Sequence, residues 1–182
     1  MLSQNTNDRN RDLAFSRLKE SFSSWEEVAF APTSKVEEAI KVAGLSRLKA
    51  PRIQEALFRI KGKFGSFSLP DEGEKEALLN FLLSLPGVGP KTTRCVLLFS
   101  YGFPFFPVDT HIFRVGKRLG FIGKKESPEK AMEKLDRLVP EGLHLQLHLL
   151  LIKHGRTICR PKPLCETCFL QDLCSFFKDT SI

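Results

Sequence analysis

The sequence predicts an all-α protein, and three observations carry that prediction. Apolar residues recur at three- and four-residue spacing through nearly every segment. Ser-x-x-Glu boxes, first-turn prolines and closing glycines bracket those segments as helix ends. Alternating strand patterns are nearly absent.

Asp8 to Ser21 reads as the first helix, with Leu13, Phe15, Leu18 and Phe22 turned toward a core. Ser24-x-x-Glu27 and Ser34-x-x-Glu37 open two short helices as capping boxes, and Gly44 ends the second. Arg47 to Phe64 is the next helix, with Ile53, Ala56, Leu57 and Ile60 as its inner stripe. Pro51 is tolerable there only near the start. After a Gly65–Pro70 loop, Glu74 to Leu83 and Thr92 to Tyr101 are both helical in pattern. Phe103-Pro104-Phe105-Phe106-Pro107 cannot be regular helix. It delivers Val108-Asp109-Thr110-His111, after which Ile112, Val115 and Leu119 resume helical spacing. Ser127-Pro128-Glu129 supplies a cap, a first-position proline and a first-turn acid. Glu141 to Lys153 is a strongly apolar helix that Gly155 closes. There is no internal repeat and no low-complexity segment.

The chain of 182 residues is long enough for one large domain or two small lobes. It carries 28 Lys+Arg against 21 Asp+Glu, a net charge of +7, and a pI near 9.3. That excess suits a polyanionic partner without proving one. No apolar run approaches the roughly 20 residues needed to span a bilayer. The polar start, Met1 to Arg9, is no secretory signal. Five cysteines without such a signal argue against a disulfide framework.

Leu85-Pro86-Gly87-Val88-Gly89-Pro90-Lys91-Thr92 joins two of these helices as a hairpin. Gly87 and Gly89 allow a tight turn and the close approach of a phosphate. The helix that follows presents free N–H groups and the positive end of its dipole, a ready anion site. Pro90 fits its first position. An ordinary helical connection would explain the glycines equally well. Lys91 is what sets the turn apart, because a cation in a first turn opposes the dipole and favours the neutral amine.

Cys159-x5-Cys165-x2-Cys168-x5-Cys174 packs four thiols into one short segment. Thiolates so close repel unless a metal neutralises them. Structural zinc sites usually pair two CxxC knuckles, and this chain has one. Zinc and an iron–sulfur cluster both stay open on spacing, with the wide steps favouring the larger [4Fe–4S] cube. Cys95, on an apolar helix, reads as core.

Hairpin, Val-Asp-Thr-His, His154-Gly155-Arg156 and cysteine loop stand here in one order, and together they resemble the endonuclease III branch of the helix–hairpin–helix DNA glycosylases. The resemblance runs from Ser3 to Cys174. It implies an all-α, two-lobed DNA glycosylase: a helical bundle lobe with the hairpin over residues 1–103, and a cluster lobe over 104–182, with a DNA cleft between them. It places Lys91 on the family's catalytic lysine and Asp109 on its catalytic aspartate. Asn5, with Gln4 beside it, falls where the family plugs the gap left by a flipped base. Gly87, Val88, Gly89 and Thr92 would hold DNA phosphates. Cys159, Cys165, Cys168 and Cys174 would hold a [4Fe–4S] cluster, although the family usually has one more residue between the first two. Family members also carry a few tens of residues ahead of the position of Met1, so an exposed apolar patch on both lobes and a lowered stability are expected.

The resemblance further implies base-excision repair on double-stranded DNA holding a damaged base or an abasic site, by a monomer in a prokaryotic cytoplasm, associated with the nucleoid. The base is extruded into a pocket. Lys91, as neutral amine, attacks the sugar C1′ and displaces the base. The Schiff base acidifies C2′, and β-elimination breaks the strand. Asp109 stabilises positive charge on the sugar, and it also fits a helix N-cap. His111 reads first as a structural histidine, then as a phosphate contact. Lys153, His154 and Arg156 read equally as phosphate contacts or a solvated rim. Asn5 reads equally as a plug or a polar cap. Removal of oxidised pyrimidines is the leading expectation. A monofunctional glycosylase for mismatched or deaminated bases, and an inactive DNA-binding module, are the alternatives.

Overall fold

The computed structural model describes residues 1–180. Among them all regular structure is helical, and they form two compact units that meet in sequence between Gly89 and Pro90. The sequence reading places that boundary at residues 103/104. The difference has a physical cause: the helix after the hairpin packs on an element of the second unit.

In the first unit the helices are α1 Asp8–Ser21, α2 Trp25–Phe30, α3 Thr33–Ile40, α4 Ser46–Phe64 and α5 Lys75–Ser84. Asn7 caps α1 through its side chain. Ser24 forms its capping box: its hydroxyl takes the Glu27 N–H at 3.1 Å, and Glu27 reaches back to the Ser23 N–H at 2.7 Å. The Ser34 box does not form. Pro32, with its fixed φ, starts α3 at Thr33, and no side chain caps it. The core gathers Ala14, Leu18, Val28, Val36, Ile40 and Ala50, among others. Leu13 and Phe15 are exposed, against expectation. The inner stripe of α1 runs through Ala14 and Leu18 instead, because small Ala14 lets the helix sit close. Pro51 lies inside α4, on its exposed side, further in than the first turn.

Two buried polar side chains that no local pattern announces hold this unit together. Gln54 donates to the carbonyls of Val28 at 3.0 Å and Ala31 at 2.8 Å, and accepts the Thr33 hydroxyl at 2.7 Å, closing the end of α2 onto α4. Lys49, 4% exposed, donates to the carbonyl of Ala43 at 2.9 Å and to that of Leu2 at 3.1 Å. Burial pushes its ammonium below the ordinary lysine value. The bond to Leu2 anchors the segment that carries Gln4 and Asn5.

The second unit contains α6 Pro90–Tyr101, α7 Thr110–Leu119, α8 Pro128–Leu138, α9 His144–Thr157 and α10 Ser175–Thr180. Pro90 takes the first position of α6, and Ser127 caps α8. Phe106, Val108, Ile112, Val115, Ala131, Met132, Leu135 and Leu151 belong to its core. Gly155 does not close α9. It lies within the helix, where an added Cβ would come 2.9 Å from the Cβ of His111 and 3.3 Å from Val115 Cγ2. Large apolar side chains stand exposed in both units, Phe15 and Phe30 in the first, Leu138, Leu149 and Leu150 in the second. No helix among the described residues is long and apolar enough to cross a membrane.

Candidate functional site

The hairpin turn is built as its glycine predicts. α5 ends at Ser84, and the Val88 N–H closes the turn on the Leu85 carbonyl at 3.1 Å. Gly87 has φ +75, and a Cβ there would meet Arg52 Cδ at 2.8 Å. Gly89 has no atom within 4 Å of an ideal Cβ, so its outer side is open. The Val88 side chain is buried, which leaves only its backbone for an outside partner. In the same unit, Gln4 Nε2 donates to the Gly87 carbonyl at 2.8 Å. Asn5, next along, is exposed and held at φ +50, a conformation asparagine tolerates better than most residues.

Lys91 occupies the first turn of α6 and is exposed; half-buried Thr92 follows it. The amine is therefore not buried in the free protein. The inward face of α6 is formed by Thr93, Arg94, Leu97 and Leu98. Asp109 is half-buried at the start of α7 and accepts the Ile112 N–H at 2.8 Å. It is thus an N-cap, as the sequence allows.

Two groups of the second unit register the charges of both Lys91 and Asp109. Burial pushes the Cys95 thiol up, Lys91 pulls it down and Asp109 adds to the rise. Burial pulls the His148 imidazole down, while the Pro107 carbonyl and Asp109 oppose that and Lys91 reinforces it. Both charges thus act on the same two groups of the second unit. His148 itself, buried at 3% exposure, lies 3.0 Å through Nδ1 from the Pro107 carbonyl and edge-on to Phe99 and Phe106. Sequence reasoning misses it, because its only signal there is a polar ring on an apolar helix. The phenylalanines of the preceding segment pack: Phe105 and Phe106 are buried, and Phe103 stacks on Tyr101.

His111 packs against Arg114 and Gly155. Its Nδ1 is 3.2 Å from Arg114 Nη2, and Arg114 donates to the carbonyls of Gly155 at 2.8 Å and Cys159 at 3.0 Å. The close fit of His111 over Gly155 explains the glycine in His154-Gly155-Arg156.

Cys159, Cys165, Cys168 and Cys174 line one pocket with Arg118, His154 and Phe176. Burial, then the thiols of Cys174, Cys159 and Cys168, push the Cys165 thiol up. Arg118 Nη1 lies 3.4 Å from Cys159 Sγ and His154 Nε2 lies 3.9 Å from Cys168 Sγ. His154 is therefore buried beside the thiols rather than set on a phosphate-facing rim; Lys153 and Arg156 are exposed. Among the described residues, no three His, Cys, Asp or Glu side chains are grouped for a single metal ion. Four soft donors lining one pocket, with the Arg118 guanidinium donating to sulfur, fit a multinuclear cluster better than one zinc ion.

Residues 1–141 match the family model of the HhH-GPD superfamily base excision DNA repair proteins. The chain is 38% identical to endonuclease III of Thermotoga maritima, covering 98% of this chain and 80% of that protein. It is 36% identical to endonuclease III of Sulfolobus acidocaldarius, over 98% of this chain and 80% of the other. Among solved structures it resembles a trapped covalent endonuclease III–DNA intermediate, with a TM-score of 0.86 at 30% identity over 100% of this chain and 82% of that one. A thermostable thymine-DNA glycosylase gives a TM-score of 0.84 at 26% identity, over 98% and 81%.

Proposed function

The chain belongs to the HhH-GPD superfamily of base excision DNA repair proteins, and we propose that it acts on duplex DNA as a bifunctional glycosylase and abasic-site lyase that removes oxidised pyrimidines. The observation that supports this reading is that Lys91, in the first turn after the glycine hairpin, and Asp109 pull in opposite senses on the same two groups, Cys95 and His148.

In this mechanism the N–H groups of Gly87 and Gly89, with Val88 and Thr92 beside them in the turn, hold phosphates and fix register. The lesion leaves the stack, at least cost where it pairs badly. Asn5 fills the gap. The Lys91 amine attacks C1′ and forms the C–N bond as the base departs with the C1′–N bond's electron pair and a proton. The sugar ring then opens as the C1′–O4′ bond breaks and O4′ takes a proton, giving the Schiff base; loss of its C2′ proton breaks the C3′–O bond and expels the 3′ phosphate. Asp109, with one oxygen on the Ile112 N–H, offers its negative charge to the cationic sugar. The amine of Lys91, exposed in the free protein, would be desolvated by the DNA itself, which brings its reactive form within reach only in the complex.

Cys159, Cys165, Cys168 and Cys174 would hold a [4Fe–4S] cluster, which, bound there, supplies a rigid tie for the loop. Arg118 and His154 would stabilise the sulfur charge by donating toward it. DNA containing a damaged base or an abasic site is the partner, met by a monomer, in a prokaryotic cytoplasm beside the nucleoid.

Borohydride reduction in the presence of abasic DNA tests the lyase. A covalent adduct, lost in Lys91→Gln while DNA binding persists, is expected. Base release with no adduct would favour the monofunctional reading, and binding without either would favour an inactive module. Base release on a panel of duplexes, each with one oxidised, deaminated or mismatched base, identifies the substrate.

A further inference from the structure

Arg94 follows Lys91 by one turn on α6 and faces inward, 8% exposed. A buried guanidinium must be paired. Its partner is Asp136 of α8, with Nη2–Oδ2 at 2.8 Å, Nε–Oδ2 at 3.1 Å and Nε–Oδ1 at 3.4 Å. A two-pronged contact of this kind fixes orientation as well as distance. Both side chains are shielded from solvent.

A buried pair of this kind is weak evidence of stability, since well-packed apolar side chains often do as well. What sets this one apart is its third member. Asp136 Oδ1 also accepts the backbone N–H of Phe106 at 2.6 Å. Phe106 stands three residues before Asp109 in a segment that proline keeps out of helix, so no helical ladder sets its path. The Arg94 guanidinium also lies over the Phe105 ring, 5.8 Å from its centroid. One carboxylate thus grips the helix that carries the amine and the irregular segment that carries Asp109.

We propose that Asp136, paired with Arg94, is a positioning residue that sets the placement of Asp109 relative to Lys91. The proposal rests on the reading of those two residues as the reacting pair. Sequence alone hides it, because Asp136 sits between Leu135 and Arg137 as one more charge on an amphipathic helix.

The test is the single-turnover rate of borohydride-trapped adduct formation on a single-stranded oligonucleotide with one abasic site, which needs no base flipping. Asp136→Ala is expected to slow that rate about tenfold or more, as small misplacements of reacting groups do. The final fraction trapped, and affinity for a duplex holding a tetrahydrofuran abasic analogue, should stay within about twofold of the wild type, so the loss falls on the rate. Asp136→Asn keeps an acceptor for the Phe106 N–H and should recover most of the rate. If Asp136→Ala lowers only the melting temperature and reacts at the wild-type rate, the proposal is overturned. Should that variant not fold, Arg94→Met, which leaves the Asp136–Phe106 bond in place, is measured in the same way: a slowed rate supports the proposal and an unchanged rate overturns it. A wild type that forms no adduct overturns the lyase reading instead, and this proposal with it.

Discussion

Gln4 Nε2 donates to the Gly87 carbonyl at 2.8 Å, across 83 residues of sequence. The bond joins the N-terminal segment to the hairpin turn within the first unit. Lys49 holds the same segment two residues earlier, through the Leu2 carbonyl. Asn5 follows, exposed and at positive φ, so an exposed side chain projects from a tied backbone. The pair divides the work that the sequence assigns to both residues: Gln4 clasps the turn, and Asn5 is left exposed for the gap-filling role proposed above.

That division makes a prediction about two substrates. Asn5→Ala should slow base release from a lesion-bearing duplex about tenfold, the share of a few kcal/mol of unstacking that a plug offsets. It should leave strand cleavage at an abasic site in single-stranded DNA unchanged, because nothing there must be flipped. Gln4→Ala should act in the same direction. Single-turnover rates on the two substrates decide, and an equal loss on both would remove Asn5 from this role.

Two glycines separate space from conformation. Gly155 has no room for a Cβ, which would press on His111 and Val115. Gly155→Ala should cost about 1–3 kcal/mol by overpacking, lowering the melting temperature by several degrees. Gly62 lies inside α4, where an added Cβ would have nothing within 4 Å. Gly62→Ala should gain about 0.5–1 kcal/mol from helix propensity and lost chain entropy. Thermal melts of the two variants should therefore move in opposite directions.

Much of this is legible in the sequence because it is local. The helices over Asp8–Ser21, Pro90–Tyr101 and Pro128–Leu138 follow from caps and spacing that act within a few residues. The turn at Gly87 and the N-cap at Asp109 follow in the same way. What stays hidden depends on partners far along the chain. Leu13 and Phe15 face out because packing chose Ala14 and Leu18 for the core. Gly155 sits inside a helix because His111 arrives against it. Gln54, Lys49, His148 and the Arg94–Asp136 pair are polar side chains whose purpose emerges only when distant carbonyls and charges come to meet them. The resemblance of the whole order of motifs reaches further than any of these local patterns, since it carries long-range information that spacing alone lacks.

The cysteine loop gives a prediction that separates cluster from zinc. Protein purified without exposure to oxygen should be brown, with a broad visible absorption band, and should contain iron and sulfide rather than zinc. Cys168→Ser should lose the colour and the iron. Because Arg118 also donates to the Arg160 carbonyl at 2.6 Å and the Pro161 carbonyl at 2.9 Å, the loop is tied to α7 independently of any metal. The variant should thus keep its helical circular dichroism signal while melting at a lower temperature. A colourless wild type with one equivalent of zinc would reverse the assignment.

His148 provides the pH dependence. Burial holds its imidazole below the ordinary histidine value, and the opposing pulls of the Pro107 carbonyl and Asp109 do not cancel that, with Lys91 adding to it. The unfolded chain takes up the proton near pH ~6.5, whereas the folded chain resists it. Below that pH the unfolded state therefore binds more protons, so the contribution of His148 to stability is complete above about pH 7 and is lost as the pH falls toward the folded value. His148→Gln cannot titrate but can still donate to the Pro107 carbonyl. Melting curves at about pH 7.5 and about pH 5.5 should show a smaller acid-induced drop in the variant than in the wild type. An equal drop in both would mean that other groups, such as the carboxylates, carry the acid sensitivity. Since the imidazole senses the charges of both Lys91 and Asp109, protonating it would add a third charge to the two groups proposed to react. The adduct-forming rate of the wild type should accordingly fall more steeply with acid than that of His148→Gln.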